Sequence, residues 1–568
     1  MGKLPRKTNI SRVSSIGEWL RGRFSDEQRY LIIWIVTGVA CGLAAVMFHE
    51  AIDFIFKNVR HFAAVWGGGR DTWGYYLFLG LAPAVGGLLT GIILDKYAPN
   101  ASGSGIPQTK VCYYRDFGYM RFRDAVARFF LGSISVGFGM SLGREGPTVH
   151  ICAAIASKVG QIAGIAKKRV QEMVPLGMGA GIAAAFNAPM AAVFFVFEEL
   201  LGGFSSKSFF GIFLTVVIAS TVNRLILGEH PAFDIELGVI ATDWWMFLAI
   251  PLGVISALLG KAFVESLLRL RMFFREQKVL PGWLRPAAGG LMVGIVAITV
   301  ALLTNGHLGV FGIGYKDADE VLNGRMVVLL IVVLLFVGKF VATIFAYSSG
   351  GSGGLFAPTL FMGAMLGGII GILGQPIFHY ENEIIGAMAL LGMGSMFAAI
   401  IRCPMTSVII IWEMTGEYGL ILPLMAGNML AWLLNSRILA VPLYDALLLQ
   451  DKISLRRLPH YMGDQDWKNL PISTIMSFDV VWVEAKSTLE ETLERLKGDR
   501  MKHHAYPVKD EKEQLVGIVT HHEMEERIRE GRHCVVRDIL APRKLVTVYP
   551  EDSIRQVAHT LVIEDVMQ

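Results

Sequence analysis

Long apolar runs separated by short polar breaks extend from Leu31 to Leu447, whereas about half of the charged residues are concentrated in the short stretches before Tyr30 and after Asp445. The first run, Leu31 to Phe48, approaches the roughly 20 residues that carry a helix across a bilayer. Other apolar stretches are too short for a simple crossing and open on glycine or proline: Ser104-Gly105-Ile106-Pro107, Gly146-Pro147, Ala188-Pro189, Ala357-Pro358 and Cys403-Pro404. Proline suits the first helical turn and glycine lets bare backbone approach a ligand, so the pattern predicts helices that start inside the apolar layer. In the tail, Pro471 to Met476, Leu489 to Leu496 and His504 to Thr520 predict a strand, helix, strand order, with β signals at Ala505 to Val508 and Leu515 to Thr520. The fold class expected is an all-α polytopic membrane protein with broken helices, followed by a small α/β region. The expected segments are a basic leader (1–30), a transmembrane domain (31–447), a linker (448–470), a first module (471–530) and an incomplete second module (531–568).

Composition supports the membrane class, with 53% hydrophobic and 18% charged residues. Lys3, Arg6, Lys7, Arg12, Arg21, Arg23 and Arg29 precede the first run with no small-residue cleavage site, which predicts an uncleaved cytoplasmic amino terminus. Lys452, Arg456 and Arg457 predict the same side for the tail, hence an even number of crossings. Five unpaired-looking cysteines read as apolar packing residues. His503-His504 and His521-His522 are adjacent pairs whose side chains diverge on a strand, so no metal site is expected there. A net charge of +4, widely dispersed, gives no case for nucleic acid.

The apolar domain contains a duplication. Gly177 to Glu199 (GMGAGIAAAFNAPMAAVFFVFEE) aligns with Gly392 to Met414 (GMGSMFAAIIRCPMTSVIIIWEM), 9 of 23 positions being identical, and Gly143 to Ala153 aligns with Gly354 to Ala364. Two repeats, about 31–228 and 243–447, are expected, with a binding site near their interface as in secondary transporters. If inverted, each crosses an odd number of times, which agrees with the even total.

Gly143-Arg144-Glu145-Gly146-Pro147 sets two ionisable residues among apolar runs. Such residues cost about 2.5 to 3.5 kcal/mol each near mid-bilayer and are read as functional. A helix start leaves amide N–H groups unpaired at the positive end of the helix dipole, which favours an anion. The alternative is that the glycines permit close helix packing.

GSGIP at Gly103 to Pro107, GREGP at Gly143 to Pro147, GLFAP at Gly354 to Pro358 and the late Tyr444 resemble, in order and spacing, the CLC family of chloride channels and proton-coupled chloride antiporters. The resemblance covers residues 30 to 447 and implies a bacterial-type inner-membrane protein, a homodimer in lipid, carrying chloride and protons. By the same resemblance, Ser104, Tyr444 and the amides of Leu355 and Phe356 hold a central chloride. Glu145 becomes the gating glutamate, bordered by amides of Arg144 to Gly146.

Exchange or passive channel turns on Glu198-Glu199. Glu198 is matched by Glu413 in the repeat and is expected to serve architecture, whereas Glu199 faces Met414 and resembles the inner proton-transfer residue of antiporters. Exchange is therefore expected, with a gated passive chloride channel as the alternative. Nitrate-preferring relatives carry proline at the position of Ser104, so chloride is the expected substrate. The tail resembles a CBS module, with a second copy starting at Val536 to Leu540, continuing through Val546 to Val548 and reaching Gln568 after one helix. Glu523 replaces the aspartate of the Gly-x-x-Thr-x-x-Asp pattern that binds adenosine nucleotides. A structural or dimer-contact role is expected there rather than an adenine-nucleotide site.

Overall fold

The computed structural model describes residues 22–70, 72–203, 206–228, 244–453, 470–478, 480–496, 503–531, 534–540 and 545–563, with single residues 19, 233 and 455. The leader charges Lys3, Arg6, Lys7, Arg12 and Arg21, the linker charges Arg456 and Arg457, and most of the linker lie outside the described residues. The chain folds as two compact units, meeting in sequence between Arg456 and Arg457.

The first unit is helical, and among its described residues nine helices are long and apolar enough to cross a membrane. The first, Asp26–Trp66, starts before the apolar run because Ser25 and Gln28 form a capping box that satisfies two orphan groups of the first turn. Helices Phe356–Phe378 and Asn382–Ile400 have 83% and 89% of their apolar windows buried, against at most 50% in the other seven, so this pair lies at the centre and the others are more exposed. Glycine packing joins the pair: a Cβ on Gly363 would lie 2.4 Å from the Gly392 carbonyl. The repeat copies this contact, since a Cβ on Gly177 would lie 2.3 Å from the Cys152 carbonyl. At these positions glycine serves close packing.

Four of the five expected breaks open short helices: Ile106–Arg115, Glu145–Ile162, Pro189–Phe195 and Pro404–Thr415. The fifth differs, because the helix from Phe356 continues for 23 residues to Phe378. Nothing in Leu360 to Leu373 breaks it, and Pro376 falls only in its last turn.

In the second unit, strands Val483–Glu484, Ala505–Lys509 and Leu515–Thr520 form one sheet, the first pair parallel and the second antiparallel. Val483, Leu489, Tyr506, Val508, Val519 and Met524 make its core. Pro471 to Met476 is a 3-10 turn rather than a strand, its start fixed by Pro471, and the first strand lies later in the chain. Val546 to Val548 forms no strand.

Candidate functional site

Gly143 and Gly354, equivalent in the two repeats, exchange both backbone hydrogen bonds, at 2.8 and 2.6 Å. This antiparallel bridge holds together the starts of helices Glu145–Ile162 and Phe356–Phe378. The Gly103–Pro107 loop joins them so closely that a Cβ on Gly146 would lie 2.4 Å from Ser104 Oγ. Only glycine fits that approach. Buried Arg128 donates to the carbonyls of Gly103, Asn100 and Ser102 at 2.8, 2.8 and 3.4 Å. Carbonyls that would repel an anion are thereby committed to a cation.

The hydroxyls of Ser104 and Tyr444 are both buried and lack a hydrogen-bond partner. Tyr444 lies beside Ser104 without completing a bond to it. A buried hydroxyl left unpaired costs on the order of 1 to 3 kcal/mol, so two together mark a place suited to an acceptor. Leu355 and Phe356 stand at the start of their helix, both fully buried, and the Phe356 ring is wedged among Phe397, Phe186 and Phe195 at 4.4, 4.7 and 5.7 Å between centroids. The amides at this helix start are thus fixed in place by packing.

Glu145 is fully buried. Its Oε2 accepts from the Ala357 amide at 3.3 Å, the next position along the second repeat's helix, and its Oε1 accepts from Tyr315 Oη at 2.8 Å. The Arg144 guanidinium lies 3.3 Å from His49 Nε2 and 5.8 Å from the centroid of the Tyr315 ring, whose hydroxyl contacts Glu145.

Glu198 and Glu199 point apart, as neighbours on a helix do, on a helix that widens from Pro189 into a π turn over Val196–Leu201, whereas its repeat counterpart remains α-helical through Thr415. Glu198 reaches the other repeat. Glu199 turns inward, where Lys110 Nζ donates to its Oε1 at 2.5 Å and to Asp445 Oδ1 at 2.5 Å. Lys110 is completely buried, and Asp445 adjoins Tyr444 in sequence. The ion-paired group therefore sits against the residues that carry the two hydroxyls.

A cavity of about 660 Å³ reaches Arg144 and Tyr315, and another of about 750 Å³ reaches Gly103 and Tyr347. Tyr347 Oη accepts from the Ser104 amide at 3.5 Å. The first cavity is floored by the loop Asn305–Gly314, whose carbonyls at Gly309, Gly312 and Ile313 accept from buried Lys339 at 2.9, 2.7 and 3.0 Å. In that loop the Asp317 carboxylate beside it raises the pKa of His307 above the ordinary imidazole value.

The structure thus brings together Ser104, Glu145, Gly146, Leu355, Phe356 and Tyr444, with Arg144 beside Glu145 in sequence and Glu199 one ionic layer away. Lys110, Asp445, Tyr315 and Arg128 were not found from sequence. Lys339 was visible as the lone charge in the apolar helix Leu329–Ser348, a signal of the kind that singled out Glu145.

Residues 86–436 match the voltage gated chloride channel family and residues 472–530 the CBS domain. The H(+)/Cl(-) exchange transporter ClcA of Vibrio campbellii is 30% identical over 461 residues, covering 77% of this chain and 94% of that protein. The fold is similar to that of a slow cyanobacterial Cl-/H+ antiporter, at a TM-score of 0.68, 24% identity and coverage of 76% of this chain and 99% of the other. It is also similar to a eukaryotic CLC transporter, at 0.62, 17% and 94% of both chains. A CLC-type fluoride/proton antiporter gives 0.59 and 21%, covering 73% of this chain and 96% of the other. With a match across most of the membrane unit and a relative at this identity, the chain is a multi-pass membrane protein of the voltage gated chloride channel (CLC) family that carries a CBS domain.

Proposed function

We propose that the protein is a secondary active transporter that exchanges chloride for protons, working as a homodimer in a bacterial inner membrane with both termini cytoplasmic. The observation that carries this reading is the contact chain from Glu145 and Gly146 through the unpartnered hydroxyls of Ser104 and Tyr444 to Asp445, Lys110 and Glu199. In it, Ser104, Tyr444 and the Leu355 and Phe356 amides hold a central chloride. Glu145 occupies an outer anion position, bordered by amides of Arg144 to Gly146, when ionised and leaves it when protonated. Glu199 passes protons between the interior and the cytoplasm.

One helix terminus contributes only about 0.3 to 2 kcal/mol, less than an anion loses on leaving water, so several amides and two hydroxyls must act together. The resulting site suits millimolar affinity, about 4 kcal/mol, from which an ion leaves quickly. Ser104 in place of proline, with intact GSGIP and GREGP motifs, favours chloride over nitrate or fluoride. The named activity of the Vibrio campbellii relative supports coupled exchange. A passive chloride channel, the second reading, would not need the buried carboxylate of Glu199. For the CBS region we favour a structural or dimer-contact role over an adenine nucleotide, because Glu523 closes a capping box on Thr520.

The experiment is reconstitution of the full chain in liposomes under a chloride gradient while external pH is recorded. Protons driven against their own gradient are expected. Chloride flux without them decides for the channel, and absence of both refutes either transport reading.

A further inference from the structure

The geometry points to a divalent transition-metal site of the Zn²⁺ class formed by His307, Asp317 and Glu320 in the wall of the cavity that reaches Tyr315, whose occupation slows transport by fixing Tyr315. His307 Nδ1 lies 3.1 Å from Asp317 Oδ1 and 3.8 Å from Glu320 Oε2, and the three ligand atoms all fall within 4.8 Å of one another. Asp317 and Glu320 are three residues apart on the helix Tyr315–Leu322 and so share a face, while His307 comes from the preceding loop. All three line the 660 Å³ cavity.

Two features make this more than a cluster of charges. Asp317 is nearly buried, and its second oxygen accepts from the Gly309 amide at 2.5 Å, so an outer contact orients the carboxylate and leaves Oδ1 toward the imidazole. Buried Lys339 spends its ammonium on three loop carbonyls instead of on this cluster. One imidazole and two carboxylates with an open side match the three-ligand, solvent-completed zinc arrangement, and the nitrogen ligand argues against Mg²⁺ or Ca²⁺.

The consequence follows from the same short helix. Tyr315, its first residue, donates to Glu145 Oε1 at 2.8 Å. A metal that ties Asp317 and Glu320 to the loop holds Tyr315 against Glu145 and opposes the departure of that carboxylate. This step rests on the gating role proposed above, whereas the metal site does not.

The test is zinc sulfate titrated calorimetrically into the purified full-length protein, paired with chloride flux from liposomes carrying zinc outside. One metal per chain is expected, weakened by at least the roughly tenfold that loss of even an outer-shell partner costs in His307→Ala and in Glu320→Gln. No heat with the wild type, or equal affinity in both variants, overturns the site and leaves a structural ion pair. Zinc is expected to slow wild-type flux severalfold and to leave His307→Ala unaffected, while Tyr315→Phe binds zinc normally and escapes inhibition. Zinc binding at the cluster without slowed flux, or with equal slowing in Tyr315→Phe, overturns the coupling to Glu145. Flux measured before zinc is added tests the transport reading separately.

Discussion

Glu198 and Glu413 each cap a helix of the opposite repeat. Glu198 accepts from the Met405 and Thr406 amides at 3.0 and 2.8 Å and from Thr406 Oγ1 at 2.6 Å, and Glu413 accepts from the Met190 and Ala191 amides at 3.0 and 2.9 Å. Since Pro189 aligns with Pro404 and Glu198 with Glu413, the two contacts are one contact related by a local two-fold. Each satisfies orphan amides at a proline-started helix that has no side-chain cap of its own.

Glu198→Gln keeps one accepting oxygen and loses the other along with the charge. It is expected to cost about 1 to 2 kcal/mol, read as a lower thermal midpoint in detergent, with the proton/chloride ratio near wild type. Glu413→Gln should behave alike. An unchanged midpoint in both, or an altered ratio, would show that the pair does something other than capping.

Glu145→Gln imitates the protonated carboxylate, and Glu145→Ala removes it. Both are expected to abolish proton coupling while chloride still crosses. Paired chloride and proton traces from the same vesicles check this, and chloride-driven proton uptake at the wild-type rate in either variant removes Glu145 from the gating role.

Glu199→Gln retains size and hydrogen bonding but cannot ionise. Proton movement should stop and chloride flux remain measurable. Normal proton pumping would remove Glu199 from the proton path, while exchange itself would stand.

Lys110→Met leaves the Glu199 and Asp445 carboxylates facing each other without their shared cation. Breaking a buried ion pair in this way costs about 3 to 5 kcal/mol, so folded yield should fall sharply. Adding Asp445→Asn removes one surplus charge and is expected to recover part of the loss. If the double variant is no more stable than the single one, the ammonium does not balance the two carboxylates.

Ser104→Pro removes a buried hydroxyl with no protein partner. Nitrate transport is expected to rise relative to chloride, as read by anion-selective flux from liposomes. An unchanged preference would exclude Ser104 from selectivity.

Features that depend on local chain chemistry were legible in the sequence. Pro189, Pro404, Pro107 and Pro147 lie in the first turns of their helices, and the Glu198/Glu413 match foretold shared architecture because a duplicated contact needs duplicated residues. What depends on packing at long range was hidden. Lys110 meets residues 89 and 335 positions away, and nothing near it in sequence distinguishes it from an ordinary solvated lysine. Tyr315 reads as one more aromatic residue until the fold sets it 2.8 Å from a carboxylate 170 positions earlier. The π turn at Val196–Leu201, which holds both glutamates, has no such hint either.

The Gly143–Gly354 bridge also sets the scale of movement open to the interior. Parting the two helix starts would strand two amides and two carbonyls away from water, at about 1 to 3 kcal/mol for each group left unpaired. Swinging Glu145 gives up only two side-chain contacts, and its backbone stays where it is. The cheaper motion is the rotation of a few single bonds. On the role proposed for Glu145, a gate built this way has the inertia of a rotamer, so its tempo is governed by protonation and by whatever grips that one side chain, with the helices around it acting as a fixed frame.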